Sequence, residues 1–171
     1  MSTKIALVVR LKVPDTTALS AEDVLRRKMG YGDRLGRLRR EDWWLFEVDT
    51  GDGARARARV GEWARRCTSL VNPNKHRARV ELPREKSGSG SGVRVLVRDR
   101  DDVRARSMLA FLRYSLGASD LLSLRSGTLW TVEPGAGEKD PRSLAEGIAA
   151  TRSRRRGLLA NPHAQTFEIY G

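Results

Sequence analysis

Cysteine is nearly absent from this chain of 171 residues, since Cys67 is the only one. A single thiol excludes an internal disulfide framework and any cysteine-based metal motif. Its place on the apolar stripe of a helix marks it as a small buried side chain. Histidine is almost as scarce, with His76 and His163 alone. No carboxylate pair sits at helical spacing beside either, so no general acid–base constellation assembles, and both read as surface loop residues. Long apolar runs are missing too: the longest near the start, "IALVV", has five residues. That is too short for a secretory segment or a membrane span, so a reducing cytoplasm is the expected compartment. The glycine-containing stretches "GYGDRLG" (30–36) and "PGAGEKD" (134–140) lack the pattern that cradles phosphates and read as turns. No catalytic, cofactor-binding or metal-ligating residue is predicted.

What is abundant is positive charge. Lys and Arg number 33 against 21 Asp and Glu, a formal charge of +12. Such a balance invites a nucleic-acid reading, because clustered cations release counterions from phosphates. Only six of the 33 are lysines, however, and the arginines are scattered through the whole chain. The densest run, Arg154-Arg155-Arg156, follows Arg152 near an expected helix end, where cations favour the dipole. A solvated basic surface is the simpler reading.

The chain also repeats itself. "PREKSGSGSG" (83–92) has a linker's composition and divides the sequence into residues 1–82 and 93–171. Each part opens with an alternating strand, "KIALVVRLK" and "VRVLVR". Each continues with a helix: "LSAEDVLRRKMG", with Ser20 as N-cap, and "DDVRARSMLAFLRYSLG", ending at Gly117. Two strands are expected next in each part, "DRLGRLRR" then "WWLFEVD", and "DLLSLRS" then "TLWTVE". A second helix follows, carrying Val60, Ala64, Cys67 and Val71 in the first part and Leu144, Ala145 and Ile148 in the second. Asp140-Pro141 is a good cap and first-turn pair. Both parts close on Leu-x-Asn-Pro and a last strand, "SLVNPNKHRARVEL" and "GLLANPHAQTFEIYG", with Asn72 and Asn161 separated by 89 residues.

The order β-α-β-β-α-β, twice, predicts an α+β fold of two tandem ferredoxin-like repeats. Trp44, Phe46 and Val48 share one face of their strand. Trp43 and Leu45 lie on the other, with Ala6 and Val8 of the first strand, and that second face is too apolar to be left in water. These four residues are the candidates for contacts between the two repeats, sheet against sheet.

Taken together, the strand, the Gly-terminated helix, the Leu-Arg strand pair and the Leu-x-Asn-Pro turn resemble the PurS family. PurS is the small subunit of phosphoribosylformylglycinamidine (FGAM) synthase in purine synthesis. The resemblance covers residues 4–82 and 93–171 and places Arg39, Arg125, Leu70, Asn72, Pro73, Leu159, Asn161 and Pro162 at family-motif positions. Two features depart from the family pattern. The Asp-Pro-x-Gly stretch survives only as Asp15 in "VPDTTALS", and "DRDD" replaces it in the second part. The Gly-Lys after the Arg position becomes Glu41-Asp42 in one part and Gly127-Thr128 in the other. The resemblance implies a PurS homodimer written as one chain, a monomeric pseudo-dimer. It further implies a non-catalytic role bridging a PurL-like synthetase and a PurQ-like glutaminase during ammonia transfer. ATP, Mg and glutamine would then bind those partners, and no cofactor would bind this chain.

Two other classes fit parts of the sequence. A tandem RNA-recognition-like module would stack bases on Trp43 or Trp44, although "DWWLFEV" does not fit that family's consensus. A regulatory module would hold a small ligand between its repeats.

Overall fold

The structure is a computed structural model describing residues 1–84, 92–153 and 156–171. All but Pro83, Arg84 and Gly92 of the Ser/Gly linker, and Arg154 and Arg155 of the basic run, lie outside the described residues. The fold is α+β. In chain order the elements are β1 (Thr3–Leu11), α1 (Thr16–Asp23, continued by a π-helical turn Val24–Lys28), β2 (Leu35–Val48), α2 (Gly53–Arg66) and β3 (His76–Glu81). Then come β4 (Val93–Asp99), α3 (Val103–Leu116), β5 (Leu121–Pro134), α4 (Pro141–Ala149) and β6 (Gln165–Tyr170). The strands form a six-stranded antiparallel sheet in the order β3-β1-β2-β5-β4-β6.

Six strands replace the eight expected. Where a break between two strands is expected at Glu41-Asp42, β2 runs on without a turn for 14 residues, and β5 does the same through the break expected at Gly127. A tight hairpin needs residues at positive φ. Arg40-Glu41 supplies none, and Gly127 is not among the positive-φ glycines. The consequence is large, because the compact units are not the two sequence halves. Unit 1 consists of Met1–Val13, Glu41–Glu85 and Asp101–Gly127, and unit 2 of Pro14–Arg40, Lys86–Arg100 and Thr128–Gly171. Each unit takes its first helix and part of a long strand from the other half of the chain.

In unit 1, β1 and the second part of β2 pair from Thr3↔Val48 to Val9↔Asp42, and β3 pairs on the other edge of β1. This register puts Ile5, Leu7, Val9, Trp44, Phe46 and Val48 on one face. That face packs against Ala56, Val60, Trp63 and Cys67 of the α2 segment and against Ala105 and Leu112 of α3, with Leu121 and Leu124 of β5. In unit 2, Val93, Val95 and Val97 of β4 and Trp130 and Val132 of β5 form the corresponding sheet face. Leu144, Ala145 and Ile148 of α4, Ala18 and Leu25 of the first helix, and Leu35 and Leu38 of β2 complete it. Each fully buried side chain of this kind contributes about 1.5–3 kcal/mol of hydrophobic stabilisation.

The caps explain where the helices begin. Asp15, not Ser20, caps α1, its carboxylate accepting from Thr17 and Ala18 N–H. The predicted Ser20 cap does not form, because Ser20 lies inside the helix, and Leu19 before it is 53% exposed. Asp102 caps α3, Asp52 caps α2, and Asp140 with Pro141 caps α4 as expected. Gly117 ends α3 in the left-handed conformation (φ 64°), which glycine reaches without steric cost. Alternation along the last strand of the first part predicts Ala78, Val80 and Leu82 facing the core; Val80 packs on it, but Ala78 and, just past β3, Leu82 are exposed. Among the described residues no helix is long and apolar enough to cross a membrane.

Candidate functional site

The two Leu-x-Asn-Pro turns are built from the same bonds. In unit 1, Leu70 is buried as the anchor and Pro73 cannot continue a helix. The Asn72 side-chain oxygen accepts from Asn74 N–H (3.0 Å), and its backbone oxygen accepts from Lys75 N–H (3.0 Å) and His76 N–H (2.8 Å). Its own N–H donates to His76 Nδ1 (3.1 Å). In unit 2, Leu159 is buried, and Asn161 accepts from His163 N–H on its side chain and from Ala164 and Gln165 N–H on its carbonyl. Its N–H donates to Gln165 Oε1 (2.9 Å). Gln165 therefore does for the second turn what His76 does for the first. The match is invisible if one aligns histidines, because His163 occupies a different place. Pro73 and Pro162 offer their carbonyls to the residue just past the neighbouring strand, to Lys12 Nζ after β1 (2.5 Å) and to Arg100 after β4 (3.3 Å).

The remaining motif positions lie on strands. Arg39 of β2 forms an ion pair with Glu133 (2.6 Å) in unit 2. Arg125 of β5 is exposed in unit 1. Among the candidates for inter-repeat contact, Ala6, Val8 and Trp43 are buried and Leu45 is half-buried. Trp44 is 1% exposed, beneath the Arg104 guanidinium at 4.4 Å from its ring centroid, and Trp130 is 7% exposed. Base stacking on a strand needs an open aromatic face. None of these three tryptophans offers one.

Charged groups missed by pattern reading form two partly buried networks in unit 1. Arg79 grips Glu41 with both terminal nitrogens (2.6 and 2.9 Å) and Glu81 with Nε (2.8 Å). Burial works against the Arg79 charge, but the bonds to Glu41 and Glu81 outweigh it and hold its titration above the ordinary value. Arg59 holds Asp120 bidentately (2.7 and 2.7 Å), reaches Glu62 (2.7 Å) and lies over the Trp63 ring. The hydrogen bond from Arg59 keeps Asp120 below the ordinary carboxylate range. Glu47 is lowered by bonds from Ser123 and then Ser2. Carboxylates displaced this way stay ionised at neutral pH, so they bind cations and orient strands but do not shuttle protons. The signal for these pairs was weak, since Arg59–Asp120 and Arg79–Glu41 join residues far apart in sequence.

Asp102 carries a further role. Its carboxylate accepts from both the Ser126 N–H (2.7 Å) and hydroxyl (2.6 Å) while capping α3. Asp15 in unit 2 also reaches its long strand while capping α1, through an ion pair with the Arg40 guanidinium (3.0 Å). Both caps thus fasten a helix start to the long strand at the place where that strand leaves the unit. Cys67 is buried, with Sγ 3.8 Å from Met108 Sδ. Among the described residues no group of three or more His, Cys, Asp or Glu is gathered closely enough to hold a metal ion. Compared with known protein families and with curated proteins, the sequence matches none.

Proposed function

We propose that the chain is a tandem duplication of a PurS-like module and acts as the non-catalytic small subunit of an FGAM synthase. Each compact unit is read as a ferredoxin-like module completed by exchange, with four strand segments and two helices drawn from both halves. The order β3-β1-β2-β5 in unit 1, with α2 and α3, is the order such a module requires. In this role the protein bridges a PurL-like synthetase and a PurQ-like glutaminase, so that ammonia released from glutamine reaches the activated amide. ATP, Mg and glutamine belong to those partners.

The observation that carries the reading is the recurrence of the Asn-Pro turn with the same bonding around Asn72 and Asn161. Repeated N-caps support it, Asp15 with Asp102 and Asp52 with Asp140. The test is assembly. With glutamine and nucleotide present, the protein is expected to co-elute with a purified PurL-like synthetase and PurQ-like glutaminase and to raise glutamine-dependent amidation. Three folded components that stay separate under those conditions would sink the proposal. Sedimentation should give the mass of one chain, as a built-in pseudo-dimer requires.

A further inference from the structure

We propose that the end of the β1–β3 ladder in unit 1 is a recognition site for a compact phosphate or diphosphate anion. Arg10 and Arg77 are direct partners across the ladder. Two residues further on, the Lys12 N–H donates to the Lys75 carbonyl (2.9 Å), so these lysines face each other as well. Positions two apart on a strand share a face and lie about 7 Å apart. Arg10 and Arg77 share a face of the ladder, and Lys12 and Lys75, paired one step beyond its last rung Leu11↔His76, complete a rough square of cations at its end. Like charges directly opposite each other destabilise a strand pair unless something compensates them. Here nothing within the described residues does. Arg10, Lys75 and Arg77 are exposed with no side-chain partner, and Lys12 Nζ touches only the uncharged Pro73 carbonyl. The carboxylates of Glu41 and Glu81 are already held by Arg79.

The ladder in unit 2 shows that the fold does not demand this square. There Arg98 faces Thr166 and is bound by Glu168, while Arg100 faces Ala164. A carboxylate, Asp99, occupies the place of Leu11 and accepts from Gln165 (2.9 Å). One turn thus carries four concentrated cations, whereas the other keeps Arg100 alone, with Arg98 paired to Glu168 and the other two positions uncharged. Two guanidinium forks and two ammonium groups suit the oxygens of a phosphate monoester or diphosphate. Neither β1 nor β3 carries Phe, Tyr or Trp, and the His76 ring lies on the opposite face of its strand from Arg77, with Nδ1 bound by the Asn72 N–H, which favours a compact anion over a nucleic-acid strand.

Calorimetric titration of the full chain with inorganic phosphate and pyrophosphate tests the site. The double variant Lys75→Ala/Arg77→Thr gives the first ladder the residues the second already tolerates. Losing two charge-assisted contacts should weaken pyrophosphate binding about tenfold or more. A control, Arg55→Ala/Arg65→Ala, removes the same charge from exposed positions of α2 and should change binding by less than about twofold. Failure of the wild-type protein to bind either anion overturns the proposal. So does an equal loss in both variants, which reduces the effect to net charge. A single-stranded DNA oligonucleotide serves as the third probe. Retention of it without pyrophosphate binding would also overturn the site, by assigning the phosphate to a nucleic-acid backbone.

Discussion

Unit 1 and unit 2 share a frame but fill it differently. At the centre of unit 1, Phe46 and Trp63 stack with ring centroids 5.9 Å apart, and Trp44 lies fully buried in the same core. In unit 2 the place of Phe46 on the paired strand is taken by Val132, and α4 ends at Ala149, before any counterpart of Trp63. Leu144, Ala145, Ile148 and Ala149 complete that smaller core. What agrees between the units is the cap of each helix, the pairing register and the Asn-Pro turn. The architecture thus rests on features of backbone geometry, while side-chain volume is free to vary if each core is filled on its own terms.

The sharpest way to break the comparison is to cut the chain in two. Residues 1–84 contain β1, β2, α2 and β3, but the core of unit 1 also needs Ala105, Leu112, Leu121 and Leu124 from the other half. Expressed alone, neither half is expected to melt cooperatively as a monomer, whereas mixing 1–84 with 92–171 should restore near-ultraviolet dichroism. A half that folds alone, as a monomer in sedimentation, would show that exchange is not required for either core.

The next largest effect separates the cores themselves. Trp63→Ala removes a fully buried ring and its contact with Phe46 and should cost about 3–5 kcal/mol in chemical denaturation. Thr151, at the corresponding distance beyond Asp140, is exposed, and Thr151→Ala should change stability by no more than about 0.5 kcal/mol. Comparable losses in the two variants would mean that unit 2 depends on this segment in a way its burial does not reveal.

These cores were only half legible from periodicity. Alternation puts Ile5, Leu7, Val9 and Leu11 on one face of the first strand and Trp44, Phe46 and Val48 on one face of β2, and the register and core bear this out except at Leu11, which is 38% exposed. Asp140-Pro141 and Gly117 were readable because caps act through local backbone chemistry. Trp63 lies in an arginine-rich helix where a lone ring gives little periodic signal, and Asp15 competes with a second cap-like pattern at Ser20. The exchange itself leaves no local mark. A strand that crosses between units alternates like any other, and a charged stretch such as Arg39–Asp42 reads equally well as a turn. The Asn-Pro turns were found by identity, but the equivalence of His76 and Gln165 needed their hydrogen bonds.

A smaller difference lies in the ion pairs. Unit 1 binds Asp120 to Arg59, whereas unit 2 has Arg34 in the equivalent place, paired with Glu138 (2.7 Å). Asp120 titrates below its ordinary value of 3.8 in the folded protein. Its contribution is therefore complete above that value and is lost as pH falls through the lower, folded one. Arg59→Ala should cost about 1 kcal/mol at neutral pH and lessen the further loss of stability on acidification to about pH 3. An unchanged acid response in the variant would show that Asp120 is held ionised by something other than Arg59.

The finest test compares the two turns. His76 Nδ1 accepts the Asn72 N–H, and Gln165 Oε1 accepts the Asn161 N–H at nearly the same distance. If the acceptor is all that matters, His76→Gln should leave stability within about 0.5 kcal/mol of wild type. His76→Leu keeps the bulk but removes the acceptor and should cost about 1 kcal/mol. Gln165→His should be tolerated in the same way as its mirror substitution. Equal costs for His76→Gln and His76→Leu in thermal denaturation would contradict the equivalence of the turns. His76 would then have a role of its own beside the cationic end of the β1–β3 ladder, one that the second turn never acquired.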